Sequence, residues 1–437
     1  MTAEAIVMNK SAIAMAADSA VTISGGPRGI KTYDTVNKLF ELAKGHPVGV
    51  MVYANAELNG IPWETIIKGY RQDRNNKSMP HLEDYVDDLK SYIESNVRMF
   101  PPETDSYTIT NGAYNALLPI FKYFDDNKEK CIQSTGRVVK SRVKSIITEA
   151  IELAEQRLDG HDDSAWAIEV GIDKIRQYCE PQVSKLVRDL FAKMPLPGSL
   201  INRLVDIALN YLTKHVHDPA ETGVVVAGFG DLEYLPSSYE VTLRGRFDNH
   251  LMSLDGERAQ ISVADSAHVQ TFAQDEAARA YLSGAASAVR ARIIDFWAER
   301  MESAREEALR IALSVDGISH ESAEALADAL SQDADRNIRR FFDEMQDHQD
   351  HELLAPIWES IALLPKDELA LVAESLVNLT SLKQRMSVHE AQTVGGAIDV
   401  ALISKGDGFV WLKRKHYFPA ELNPSWALTR GAILNTG

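Results

Sequence analysis

The sequence predicts an α+β protein. Short strands, far apart along the chain, form one layered core that carries two long helical blocks. Three observations lead there. Apolar runs of strand length fall in three separate stretches, around residues 4–53, 223–263 and 397–413. Between them the chain keeps a helical apolar period from about 111 to 215 and from about 275 to 385. No Pro/Gly/Ser-rich linker is long enough to separate independent domains, and each β stretch is too little sheet to be stable alone.

The elements follow in order. Glu4 to Met8 and Ser11 to Ser19 are two apolar runs around Asn9-Lys10, a hairpin signal. Ser24-Gly25-Gly26-Pro27 reads as a loop. Lys38 to Leu42 alternates charged and apolar residues, as a half-buried strand does, and Pro47 to Tyr53 suits a buried strand. Pro62 is placed for the first turn of a helix that runs on from Trp63. Leu82, Tyr85, Val86, Leu89, Tyr92, Ile93 and Val97 form the stripe of a second helix, which Pro101-Pro102 breaks. Val139, Val143, Ile146, Ile147, Ala150 and Leu153 mark one later stripe; Leu200, Leu204, Ile207, Ala208 and Leu212 mark another. Strands return at Gly223 to Gly228, Tyr239 to Phe247 and Ala259 to Val263. The second helical block is broken near Gly317 and Pro365. The last strands are Ala397 to Ser404 and Phe409 to Lys413, around a Gly406-Asp407-Gly408 turn. The helical blocks pack on the core as layers or extend from it as insertions.

Composition narrows the function classes. A chain of 437 residues accommodates roughly two or three domains of about 150 residues, or one domain with large insertions. The net charge of -17 argues against binding a phosphate backbone, so nucleic acid is not an expected partner. Cys131 and Cys179 stand in no metal-ligand spacing, which predicts no disulfide framework and a reducing cytoplasm. No stretch approaches the roughly 20 apolar residues that span a bilayer, and the start lacks the pattern of a signal peptide. A cytoplasmic start leaves only Met1 to be removed.

That removal would expose Thr2, with a hydroxyl nucleophile and a free α-amine on one residue. This pairing is the minimal machinery of an N-terminal nucleophile, whose amine serves as base for its own hydroxyl. An α-amine ordinarily titrates at about 7.7–8.0, which makes it a workable base near neutral pH. Other chemistry-bearing residues are weaker. His215 with His217, and His348 with His351, lack companion ligands and read as solvated helix-end residues, so no metal is expected. Gly25-Gly26-Pro27-Arg28-Gly29 lacks the Lys-Ser/Thr ending of a phosphate loop. Asp343 to Asp350 reads as a solvated acidic surface.

These residues resemble the proteasome β-subunit and its bacterial relatives among the N-terminal-nucleophile hydrolases. Thr2, a strand, then Ala16-Ala17-Asp18-Ser19 is similar to the family's start, including the distance from Thr to Asp. Thr35-Val36-Asn37-Lys38-Leu39-Phe40-Glu41-Leu42 resembles the segment bearing its catalytic lysine; Lys31 competes, but Leu39 to Leu42 follow Lys38 as the family pattern requires. Val48 to Glu57 with Trp63-Glu64 resembles the next strand and helix start. Val224 to Gly228 and Tyr239-Glu240-Val241 resemble the central hairpin. Gln270-Thr271-Phe272-Ala273 resembles the start of the third helix, and Gly395-Gly396 with Ala397 to Leu402 the final strand pair. The resemblance covers roughly residues 2–100, 220–285 and 365–420, just over half the chain.

The resemblance implies a four-layer αββα sandwich. Residues 2–100, 220–285 and 365–437 make its discontinuous core, with helical insertions at 101–219 and 286–364. It implies a threonine-type amidohydrolase, most naturally a peptidase, that needs no metal or organic cofactor. Thr2 is the nucleophile, Lys38 tunes its amine and hydroxyl by charge proximity, and Asp18 pairs with Lys38 and orients it. The family's oxyanion glycine falls on Ala54, whose backbone N–H supplies the same donor. Its serine near the third helix falls on His268, which also reads as a structural histidine. Its acid before the last strands has Glu390 as nearest counterpart, with the spacing to Gly395 one residue long. The expected partners are a peptide or protein substrate, further copies of the chain in a homo-oligomer, and a regulatory partner at the helical insertions, with no membrane association. The substitutions at the glycine and serine positions favour a second function, a non-catalytic scaffold binding partners through those insertions. A third is a small-amide hydrolase, whose sign would be a closed pocket at Thr2.

Overall fold

The computed structural model describes residues 3–24, 30–75, 77–131, 139–315, 317–386, 394–416, 418, 422 and 423. The chain runs through β1 (Ala3–Asn9), β2 (Ile13–Ala17), β3 (Val21–Ser24), β4 (Ile30–Tyr33), β5 (Leu39–Glu41), β6 (Val48–Ala54), β7 (Glu57–Leu58) and β8 (Ile61–Pro62). Helices α1 (Trp63–Arg74), α2 (Leu82–Ser95), α3 (Asp105–Asn127), α4 (Lys140–Asp159), α5 (Ala165–Val170), α6 (Ile172–Phe191) and α7 (Gly198–Thr213) follow. Next come β9 (Thr222–Gly228), β10 (Ser237–Phe247), β11 (His250–Gln260) and β12 (Ala267–Ala273). Then α8 (Glu276–Ser283), α9 (Ser287–Leu313), α10 (His320–His348), α11 (Ala355–Leu363) and α12 (Lys366–Met386) lead to β13 (Asp399–Ser404) and β14 (Gly408–Lys413). The protein is thus mixed α and β with antiparallel sheets, and no described helix is long and apolar enough to cross a membrane.

Two compact units divide the chain. One comprises Met1–Val36, Ile261–Leu402 and Trp411–Gly437; the other comprises Asn37–Gln260 and Ile403–Val410.

The first unit is built on the sheet β12-β1-β2-β13-β14. Strand side chains alternate between faces. Ala3, Ala5 and Val7 of β1, with Ala14 and Ala16 of β2, pack against Ala370, Ala373 and Val377 of α12 and Ile361 of α11. The alternate set, Ile6, Met8, Ile13 and Met15, is fully buried on the other face. The register joins Ile6 to Met15 and Met8 to Ile13. Burial on both faces explains why these runs are continuously apolar, and small side chains on the helix side let α12 approach closely. The long pair α9 and α10 belongs to this unit. Ser319 caps α10 by accepting the Ser322 N–H at 3.2 Å. Along the described part of the pair the buried residues are small: Ala312, Ala323 and Ala327.

The second unit carries the sheet β11-β10-β9-β6-β5. Val48, Val50 and Val52 of β6, with Val224 and Val226 of β9, meet Trp63, Ile66, Ile67 and Tyr70 of α1 and Tyr85, Leu89, Tyr92 and Ile93 of α2. Met51, Val225 and Ala227 are buried on the opposite face. The two-residue turn between β10 and β11 places Asp248 and Asn249 at φ 44° and 62°, as tight hairpins require. Helices α3 to α7 form a separate apolar core around Leu117, Ile147, Val183, Leu204 and Leu212.

Several boundaries differ from the sequence expectation. Val97 lies beyond α2 and Leu153 faces solvent; both are about half exposed, and Ile151 takes the buried place on α4. The strand expected over Ala259 to Val263 overlaps only the last two residues of β11, a sheet-edge strand that buries Leu251 and Met252 in its upstream half and carries little apolar signal from Asp255 on. Gln270 to Ala273 belongs to β12 rather than to a helix start; α8 begins at Glu276.

Candidate functional site

Thr2 and Glu390 lie outside the described residues, as do Gly25, Gly26 and Pro27 of the expected loop. The other candidates divide between the two units.

In the first unit Asp18 follows β2 and is buried, 1% exposed. Its Oδ1 accepts the Ala3 N–H at 3.2 Å, and its Oδ2 accepts the Gly395 N–H at 2.9 Å. The Asp18 N–H donates in turn to the Ala3 carbonyl at 3.1 Å. One carboxylate therefore fixes the residue that follows Thr2 and the start of the Gly395-Gly396 turn. Ser19 reinforces this corner: its N–H donates to the Gly395 carbonyl at 3.2 Å, and its hydroxyl donates to the Ala397 carbonyl. Gly396 has φ +77°, and a Cβ there would come within 2.8 Å of the Asp34 Cβ, so glycine is required twice over. Buried Gln384 accepts the Val394 N–H at 2.7 Å and anchors the approach to the turn. Beside Asp18 a cleft of about 440 Å³ runs along α12, lined also by Ser375, Asn378, Ser381 and Arg385.

His268 is not part of this corner. The β1–β12 register pairs it with Met8, whereas Ala3 pairs with Ala273. Five residues of strand, roughly 16 Å, separate the two levels. The ring of His268 stacks on Trp358, with centroids 6.4 Å apart and planes 7° apart, so packing accounts for it. Ala273, opposite Ala3, is itself left-handed at φ 60°.

In the second unit Lys38 directly precedes β5 and is buried, 4% exposed. Its carbonyl accepts the Val52 N–H at 2.9 Å, which sets it beside β6 two residues from Ala54. N–H groups along an antiparallel strand alternate sides. Since Val52 reaches Lys38, the Ala54 N–H is directed to that same edge and not toward β9. Ala54 ends β6 exposed, with φ 66°. Few residues other than glycine hold this conformation.

Sequence reasoning missed the groups that support Ala54. Asn55 Oδ1 accepts the Glu57 N–H at 3.2 Å, an Asx turn, and Asn55 Nδ2 donates to the Ala220 carbonyl at 3.0 Å. Fully buried Thr222, paired across the ladder with Ala54, donates its hydroxyl to the Asn55 carbonyl at 3.1 Å. Beneath this turn lies a cavity of about 20 Å³, the size of one water, lined by Asn55, Asp218 and Arg244. Arg244 pairs with Glu221 at 2.8 Å, while its Nη2 is buried without a hydrogen-bond partner. The Asn in this turn was the legible signal; the Thr lay in an ordinary strand run.

Among the described residues no group of three or more His, Cys, Asp or Glu could hold a metal ion. His217 instead bonds Glu221 at 2.8 Å. Burial pushes the Cys179 thiol up to about 12, which leaves it an inert thiol at neutral pH.

No family model and no curated protein matches this chain. Among solved structures, an "Anbu (Gly-1) mutant" from Hyphomicrobium sp. strain MC1 matches over 100% of this chain and 98% of its own, with 8% identity and a TM-score of 0.26. A likeness at that TM-score carries no argument about this protein.

Proposed function

We propose that this chain is a threonine-type N-terminal-nucleophile amidohydrolase acting on peptides, with Thr2 exposed by loss of Met1. The observation that carries this reading is the Asp18 corner. Two motifs 377 residues apart, Ala16-Ala17-Asp18-Ser19 and Gly395-Gly396, converge through one buried carboxylate on the residue next to Thr2. Two further features support it: buried Lys38, and left-handed Ala54 at the position read as the oxyanion donor. Each sheet carries helices on one face and buries the other, which supports an αββα core with insertions at 101–219 and 286–364.

The reaction then runs as follows. The Thr2 hydroxyl adds to the amide carbonyl while its α-amine takes the proton. The developing oxyanion accepts the Ala54 N–H. Collapse breaks the C–N bond, and the ammonium returns its proton to the leaving amine. Water, deprotonated by the same amine, adds to the acyl ester and releases the acid. The Lys38 side chain favours the neutral amine and the oxyanion by charge proximity. Asp18 holds the backbone at Ala3, and Glu390 is the acid assigned to the amine. His268 has no step in this scheme.

Intact-mass analysis before and after a threonine-directed β-lactone tests this. Loss of Met1 and an adduct on Thr2 are expected, and Thr2→Ala abolishes both adduct and amidase activity. A retained Met1, or full activity in Thr2→Ala, rejects the mechanism.

A second reading has its own observation. Phe296, Trp297, Leu330 and Phe341 of α9 and α10 are 40–51% exposed on two long helices. Large apolar groups displayed this way fit a partner-binding arm, either for further copies of the chain or for a regulatory protein.

A further inference from the structure

Ala54 stands at φ 66°, where a Cβ crowds the backbone and glycine is the natural occupant. A glycine would adopt this conformation without help; an alanine persists in it only when its surroundings over-determine it. The surroundings here are specific. Thr222 faces Ala54 across the β6–β9 ladder and is fully buried. Its hydroxyl donates to the Asn55 carbonyl at 3.1 Å, with the Glu57 carbonyl at 3.4 Å. Asn55 is tied on both sides, to the Glu57 N–H at 3.2 Å and the Ala220 carbonyl at 3.0 Å. Trp63 closes the turn by donating its N–H to the Ala56 carbonyl at 3.1 Å.

We propose that Thr222 and Asn55 form a lock that holds Ala54 left-handed and so aims its N–H. They are positioning residues, and their catalytic meaning rests on the reading of Ala54 as oxyanion donor. The lock does from outside what a glycine at position 54 would do from within. Releasing it lets Ala54 relax to negative φ, which rotates the peptide plane carrying the donor. A hydrogen bond weakens steeply as its angle falls toward about 120°, so a donor turned away from the developing charge stabilises it less.

A double-mutant cycle tests this, with Thr222→Val removing the hydroxyl at nearly constant volume and Ala54→Gly removing the need for it. Thr222→Val should lower the melting temperature more in the parent background than in the Ala54→Gly background. In the amidase assay it should lower kcat about 10²-fold with KM unchanged. Ala54→Gly should restore most of that loss, and Thr222→Ser, which keeps the hydroxyl, should behave as the parent. Equal losses of melting temperature in the two backgrounds overturn the lock, as does a kcat loss that Ala54→Gly does not repair. If Thr222→Val fails to fold, Asn55→Ala replaces it in the same cycle. The two readouts separate two failures. Thermal coupling in a protein with no activity sustains the lock and sinks the oxyanion role; activity without thermal coupling does the reverse.

Discussion

The two helical blocks are alike in the sequence and unlike in the folded protein. Helices α3 to α7 surround an apolar core of their own, with Leu117, Ile147, Val183 and Leu204 fully buried. A buried polar knot ties this block to its sheet. The Arg246 guanidinium, at the end of β10, donates to the Glu94 and Phe100 carbonyls and lies 3.6 Å from Asp105 at the start of α3. Asp105 accepts the Tyr178 hydroxyl at 2.9 Å and the Asp248 N–H at 2.8 Å. Burial pulls the Arg246 pKa down, and burial with the Asp105 bond pushes Tyr178 up to about 12. By contrast α9 and α10 bury mainly alanines and hold together through exposed pairs such as Arg305–Asp328 at 2.6 Å. Exposed ion pairs of this kind contribute about 1 kcal/mol or less. Helical periodicity reports that a helix has an apolar face; it does not report what that face meets.

Three substitutions sharpen or break this contrast. Asp105→Ala leaves the Arg246 charge buried with its carboxylate gone and should cost about 3–5 kcal/mol in chemical denaturation. Leu204→Ala opens a cavity in the first block and should cost about 2–5 kcal/mol. Phe341→Ser on α10 should change the stability of the isolated chain by no more than about 0.5 kcal/mol. If α10 is a docking arm, the same change lowers the oligomeric mass seen in light scattering. A Phe341→Ser loss as large as that of Leu204→Ala would mean that the arm has a buried face after all.

The sequence was most legible where burial is two-sided or strictly periodic. The continuous runs around Ala5 and Val50, and the α2 stripe from Leu82 to Ile93, fold as expected. Edge strand β11 was poorly legible because half its side chains face solvent. Leu153 and Ile151 exchanged places because either satisfies a helical stripe of ordinary width. In the site, Asp18 and Lys38 stood out because each ends or begins an apolar run with a charge. The hydrogen bonds that give Asp18 its role reach across 377 residues to Gly395, and no local pattern encodes them. Thr222 was invisible for the same reason: within a valine-rich strand a threonine reads as another β-branched residue.

The turn between α9 and α10 offers a practical handle. Gly317 sits there at φ 90° with open space around the place a Cβ would occupy. Loop tips of this kind tolerate inserted sequence. The 27 residues of α9 span roughly 40 Å, so a tag or fluorophore placed at this tip stands far from the helix's other end. Such a label would follow assembly of the full-length protein.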